Sequence, residues 1–300
     1  IILLAHTPGN YWTLWIPARW GFSDATEMFV FCSGMASAIA FGGTFVRKGW
    51  WLGTARVIFR CWQVYWAHIG MFLVIAALTY FVTYMDWGTR NYYGQLNLWK
   101  VFNDPGPNLV GLMTLTYVPN YFDILPMYLV ILAMVPLVMG VFMVGGRYAV
   151  FAFVLAVWLA AQLAGWSRSV GDGETHAFGM MLAGIGAQLD FLNLPASPLT
   201  DNRWFFNPFG WQLVFFTGFC FAMGWIPAPP VNRTLIWIAI AVVVAIATLA
   251  TLAWAARSDT NAAIMLFVAP LAPIAAWAAR QGWDRLRATP APLRALYPVA

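Results

Sequence analysis

Apolar residues fall in long uninterrupted blocks along the chain, and the polar ones gather between them. The blocks run roughly over Ala25–Val46, Trp62–Val82, Asp123–Val144, Tyr148–Gly165, Phe209–Ile226, Thr234–Trp254 and Ala262–Ala279. Each is close to the ~20 residues a helix needs to cross a ~30 Å hydrocarbon core. The chain starts Ile1-Ile2-Leu3-Leu4, without Met and without a signal-peptide pattern, so its first five residues read as the tail of an earlier helix. The pattern predicts an all-α fold: a polytopic transmembrane helical bundle with about eight spans visible, the first incomplete. Two long connections, Thr83–Phe122 and Trp166–Pro208, read as loops, and the others are tight, such as Gly145-Gly146-Arg147 and Pro227–Arg233. No internal repeat breaks the pattern, so residues 1–300 read as a single integral-membrane domain, truncated at both ends.

Composition agrees with that picture and narrows it. Hydrophobic residues make up 62% of the chain and charged residues only 9%, against about 25% charged in soluble domains. A water-soluble globular enzyme is excluded, and so is a disordered chain, which cannot stay solvated at this apolarity. Cys32, Cys61 and Cys220 lie in or beside apolar blocks and read as buried; their odd number, burial and lack of CxxC spacing speak against a disulfide framework or a zinc site.

The net charge of +5 is sorted by side. If the first stub runs outward, the inner connections hold Arg47, Lys48, Arg56, Arg60, Arg147, Arg233, Arg280, Arg285, Arg287 and Arg294, and of the carboxylates only Asp284. The positive-inside rule then turns both long connections outward, which in a bacterium is the periplasm. Most of the tryptophans read as interfacial anchors, among them Trp62, Trp66, Trp87 and Trp99.

In so apolar a chain, ionisable residues in or against the spans carry the information, because burial there is costly. His6 closes the first helix before Thr7-Pro8-Gly9-Asn10; it fits either a helix-dipole partner or a catalyst. Asp24 and Glu27 open the next span with capping-box spacing, yet Glu27 already lies one turn inside an apolar run. Joined by a 17-residue connection (7–23), these helix ends can bring a carboxylate to a histidine, the usual construction of a general base. Arg56 and Arg60, one turn apart, fit the positive-inside signal and equally a phosphate-binding pair. His68 reads as a hydrogen-bonded core histidine, and His176 as a solvated loop residue. Asp123 precedes Pro126 at the start of a span, where it fits a helix start or a polar cavity. Asn207, Trp211 and Gln212 sit at the outer mouth of another span, an arrangement that suits sugar hydroxyls as well as interface anchoring. No Walker loop, GxGxxG or HExxH is present, so neither nucleotide hydrolysis nor metalloprotease chemistry is supported, and no metal is expected.

His6-Thr7-Pro8-Gly9-Asn10, Gly21-Phe22-Ser23-Asp24-Ala25 with Glu27 and Ser33-Gly34 together form one block. Tyr121–Tyr128 forms a second; Leu192-Asn193-Leu194-Pro195, Trp204-Phe205-Phe206-Asn207-Pro208 and Trp211-Gln212 form a third. In this order the blocks resemble OpgC-type membrane acyltransferases, related to the acyltransferase type 3 superfamily. The resemblance implies a multi-pass protein of the bacterial inner membrane with ten spans in the full-length chain. It implies O-acyl transfer, with succinyl as the acyl group, from cytoplasmic acyl-CoA to a hydroxyl of a periplasmic glucan or related glycan. His6 would be the general base and Asp24 and Glu27 its acidic partners. Acyl-CoA would be a co-substrate rather than a bound cofactor, held at Arg56 and Arg60. The glycan would lie near Asn10, Asp123, Asn207, Trp211 and Gln212. The partners are thus the lipid bilayer, acyl-CoA and a glycan, and nucleic acid is not among them. A transporter or flippase for an acylated lipid or glycan is the competing reading, since buried ionisable groups also serve proton coupling; the missing internal repeat counts against it.

Overall fold

The computed structural model describes residues 3–4, 7, 9–16, 25–87, 90–119, 121–169, 177–227 and 232–255. They fall into two units, one of Ile1–Met28 with Pro229–Ala300, the other Phe29–Ala228. Among the described residues the structure is all-helical, with one isolated bridge between Pro195 and Arg203 in place of any strand. Helices are what a hydrocarbon environment demands of a single chain, because every backbone group must be paired internally.

The first unit contributes the short 3-10 turn Tyr11–Trp15 and an apolar helix over Arg233–Ala255. In the second unit, α1 runs over Ala25–Lys48, entering from the first unit and passing through one π turn at Ala38–Gly42. Gly49, at φ 86°, then reverses the chain into α2, Trp50–Tyr84. A short helix α3, Pro105–Met113, lies in the first long connection. Helix α4, Ile124–Ser169, is broken at Gly146, whose φ of 68° combined with ψ of −168° is a region that essentially only glycine adopts. α5, Ala177–Gln188, and α6, Pro208–Ala222, complete the unit.

Three of these helices are long and apolar enough to cross a membrane: Ala25–Lys48, Trp50–Tyr84 and Ile124–Arg168, the last containing the Gly146 break. Pro208–Ala222 and Arg233–Val242 are shorter apolar helices. The expected block Ala262–Ala279 and the end of the first stub lie outside the described residues. The described residues hold three long apolar helices and these shorter ones, which does not confirm the expected count of eight spans. Two boundaries also change. α2 starts at Trp50 rather than Trp62, and at 35 residues it extends ~50 Å, well beyond a ~30 Å hydrocarbon core. α5 lies inside a stretch that reads as loop, because 12 apolar residues are too few to register as a span.

Contacts along the bundle set the direction of each helix. Trp50 Nε1 donates to the Pro136 carbonyl at 2.9 Å, and the Cys61 thiol to that of Leu129 at 4.0 Å, so α2 and the first half of α4 are antiparallel. Gln212 donates to the Val154 carbonyl at 2.8 Å, and Phe142 stacks on Trp225 at 4.2 Å, which lays α6 along both halves of α4. α1 and α6 meet at two glycines: a Cβ on Gly34 would strike the Phe215 carbonyl, and one on Gly218 the Phe31 carbonyl. Small residues at such crossings let backbones approach where lipid removes the hydrophobic drive for association.

The second unit has two cores. Val57, Ile131, Leu132, Val135, Val138, Phe215, Phe216 and Phe219 fill the middle of the bundle. Ile69, Phe72 and Ala76 on the far half of α2 pack against Leu98, Val101, Leu112, Tyr117 and Phe122. The second core anchors the first long connection onto the bundle as a folded cap. Cys220 is buried and Cys61 partly so, but Cys32, read as buried from its apolar surroundings, is exposed.

Candidate functional site

The folded connections line a cavity of about 500 Å³ at the loop end of the second unit. Its lining comes from three stretches of chain: Asn97, Trp99 and Lys100; Tyr117, Val118, Pro119 and Asp123; and Ala196, Ser197, Asn202, Arg203 and Phe205.

Backbone bonding holds these stretches in register. The Val118 N–H donates to the Ala196 carbonyl at 3.0 Å, and the Ala196 N–H to the Asn202 carbonyl at 2.7 Å. The Trp204 N–H donates to the Leu194 carbonyl at 2.9 Å, and its indole N–H to the Pro195 carbonyl at 2.8 Å. Fully buried Asn108 donates to the carbonyls of Lys100 and Asp104 at 3.0 and 2.7 Å, fastening the short helix Trp99–Asn103 to α3. The Tyr117 hydroxyl donates to the Asn97 carbonyl at 3.1 Å, and burial pushes its pKa up to about 12. Asn97 and, two residues before Asp123, Tyr121 sit at φ 55° and 71°. Left-handed backbone at non-glycine residues gathers where the surrounding structure enforces a particular geometry.

The polar groups of the cavity are unevenly matched. Asp123 is 8% exposed; burial raises its carboxyl pKa, and its own backbone N–H opposes part of that rise. Asp190, just outside the cavity, accepts from Asn193 at 3.0 Å, from Arg168 at 3.0 and 3.1 Å and from Arg203 at 3.4 Å. The Asn193 amide is the largest cause of its depressed pKa, with both arginines adding to it. The Arg203 Nε–H is buried without a hydrogen-bond partner among the described residues. Lys100 leans toward the Trp99 ring, 5.8 Å from its centroid, and among the described residues pairs with no carboxylate.

The residues singled out from the sequence divide into several groups. His6, Asp24 and His176 lie outside the described residues, while Glu27 stands half-buried in the first turn of α1. Asn10 donates to the carbonyls of Leu4 and Thr7, and its Oδ1 is buried without a partner among the described residues. Arg56 and Arg60 are exposed near the start of α2; Arg56 donates to Thr44 at 3.0 Å and Arg60 to Gln63 at 3.2 Å, and no carboxylate pairs with either among the described residues.

Asp123 alone of the five glycan candidates lines the cavity. Asn207 caps α6 by accepting from the Phe209 N–H at 2.9 Å, and its amide donates to the Leu192 carbonyl at 3.0 Å. Gln212 is fully buried with its amide bonded to the Val154 carbonyl. Trp211 packs edge-to-face on Phe206 at 5.1 Å. His68 is buried as expected but not hydrogen-bonded: neither ring nitrogen has a partner among the described residues.

Sequence reasoning missed Trp99, Lys100, Asn202, Arg203 and Phe205 as cavity residues. Trp99 reads as one more interfacial tryptophan and Lys100 and Arg203 as loop charges, and nothing in their spacing marks them as neighbours.

Fold and site together define a helical membrane protein whose end loops are folded into a polar cavity over an apolar bundle. The OpgC protein family matches residues 1–287, and the chain belongs to it. OpgC proteins are acyltransferase-type enzymes associated with the modification of periplasmic glucans. No curated protein and no solved structure matches the chain.

Proposed function

We propose that this protein is an O-acyltransferase of the bacterial inner membrane that moves a succinyl group from cytoplasmic acyl-CoA to a hydroxyl of a periplasmic glucan. The observation that carries the reading is the cavity. Second-block Asp123 and third-block Phe205 stand in its wall, beside Ala196, Ser197, Asn202 and Arg203 from between the two halves of the third block. Carboxyl, amide and hydroxyl groups beside aromatic faces suit a polyhydroxylated acceptor, because such pockets combine apolar area with a few placed polar groups.

His6 takes the proton from the acceptor hydroxyl as that oxygen attacks the thioester carbonyl. The new C–O bond replaces the C–S bond, and the proton passes from the imidazolium to the departing CoA thiolate. Asp24 or Glu27 stabilises the imidazolium, within a contribution of typically 10²–10⁴-fold for positioned acid–base catalysis. No Ser or Cys with a neighbouring base stands out in the sequence, which favours direct transfer over an acyl-enzyme. Arg56 and Arg60 are the candidates for the CoA phosphates, since guanidinium forks match phosphate oxygens.

The test is His6→Ala in protein that still folds, assayed for transfer from succinyl-CoA to a periplasmic glucan. The expected outcome is a fall in kcat of at least about 10²-fold. Undiminished transfer removes His6 as base. Glucan movement across vesicles without acyl-CoA, together with no acyl-CoA turnover, replaces the enzyme reading with a transporter.

A further inference from the structure

The cavity carries a feature that neutral sugar binding does not require. Of its two cations, Lys100 has no carboxylate partner among the described residues. Arg203 shares Asp190 with Arg168, and its buried Nε–H has no acceptor among the described residues. The one acid in the lining, Asp123, is nearly buried and forms no ion pair among the described residues. Asp190, outside the lining, is already matched by Arg168, so the cavity keeps a positive surplus.

Aromatic surface lies beside that surplus. Phe205 is 83% exposed and Trp99 42% exposed, and both line the cavity. Asn97, Asn202, Ser197 and Tyr117 also line it, the Tyr117 hydroxyl being held on the Asn97 carbonyl. Aromatic faces and amides serve a sugar ring, whereas a lysine without a carboxylate partner among the described residues, beside an arginine that shares its one carboxylate, serves an anion through charge-assisted hydrogen bonds. A ligand that uses both is a sugar chain with a negative charge attached.

We propose that this cavity binds a glycan segment already carrying an anionic substituent, with Lys100 and Arg203 on the anion and Trp99 and Phe205 against the sugar. This rests on the acyltransferase reading for one point only: succinyl transfer leaves a free carboxylate on each modified sugar, so the enzyme's own product is such a ligand. A chain with several acceptor hydroxyls would then be held by a modified unit while another hydroxyl reacts. A phosphate ester on the sugar presents the same chemistry to the same groups.

Direct binding separates this inference from the catalytic one, because it needs no acyl-CoA and no turnover. The full-length protein in detergent is titrated with one glucan oligosaccharide in three forms: unmodified, chemically hemisuccinylated and phosphorylated. The charged forms should bind about tenfold more tightly than the neutral one, the effect of one charge-assisted hydrogen bond. Which charged form binds tighter tells whether the cavity is built for carboxylate or phosphate. Lys100→Gln should bring both charged forms close to the affinity of the neutral one, and Arg203→Lys, which keeps a charge for Asp190, should weaken them less. Equal affinity of wild-type protein for neutral and charged forms overturns the proposal, as does a preference that survives Lys100→Gln. Loss of transfer in His6→Ala with the binding preference intact leaves it standing, and absence of the preference in wild-type protein that still transfers succinyl rejects it alone.

Discussion

Asp190 shows what a single carboxylate does at the edge of this cavity. It holds Arg168 and Arg203 together and is held in turn by Asn193. These partners depress its folded pKa below the unfolded value of ~3.9. The stabilisation is therefore present above the unfolded value and is lost as pH falls through the folded one. Its side chain is 35% exposed, so solvent screens the ion pairs and each contributes little. Asp190→Asn should lower the melting temperature at pH 7 by roughly a few degrees. Melting curves taken down to about pH 3 should show the gap closing; a gap of constant size would mean that shape, not charge, holds the arginines. The sequence marks Asp190 only as one outer acid, since its partners stand 22 and 13 positions away.

Among the helices, the crossing of α1 and α6 is the least tolerant contact. Gly34 and Gly218 each face a carbonyl of the opposite helix, and backbone cannot swing aside as a flexible side chain can. Gly218→Val should destabilise the protein by about 1–3 kcal/mol through overpacking, measured as a lowered unfolding midpoint in detergent, while Gly70→Ala, where a Cβ meets nothing within 4 Å, should be close to neutral. Equal effects at both sites would refute the close crossing. Ser33-Gly34 can be read in the sequence as part of a familiar block, but its reason, the Phe215 carbonyl, is visible only with α6 in place. The start of α2 at Trp50 was hidden for a related reason. Arg56 and Arg60 interrupt the hydropathy of its first turns, yet charges do not end a helix that has emerged from hydrocarbon.

Over the whole second unit, charge separates by end. Arg47, Lys48, Arg56 and Arg147 gather at the end where α1 meets α2 and α4 reverses, whereas Asp86, Asp104, Asp123, Asp190 and Asp201 belong to the loop end. The positive-inside rule turns the cation-only end toward the cytoplasm, which places the cavity on the periplasmic side in the proposed orientation. Single cysteines substituted at Arg147 and at Asp201, with Cys32, Cys61 and Cys220 replaced, test this on intact cells. A membrane-impermeant thiol reagent should label position 201 and spare 147 until the cells are permeabilised. Labelling of both from outside would contradict the sidedness.

The sequence by itself determined the class: helices of membrane-spanning length, a break at Gly146, and carboxylates gathered at one end with the larger share of the cations at the other. Hydropathy and charge sorting are properties of contiguous residues, and they act through the bilayer without reference to other parts of the chain. The tertiary structure alone decided which polar groups meet. It brought Lys100, Asp123 and Arg203 to one cavity across a hundred residues of chain, through bonds such as Val118 N–H to Ala196 C=O. It also committed the amides of Asn207 and Gln212 to main-chain carbonyls. Irregular loops pair their backbones without any period, so no spacing along the chain announces such meetings, and the cavity exists only once the loops have folded over the bundle.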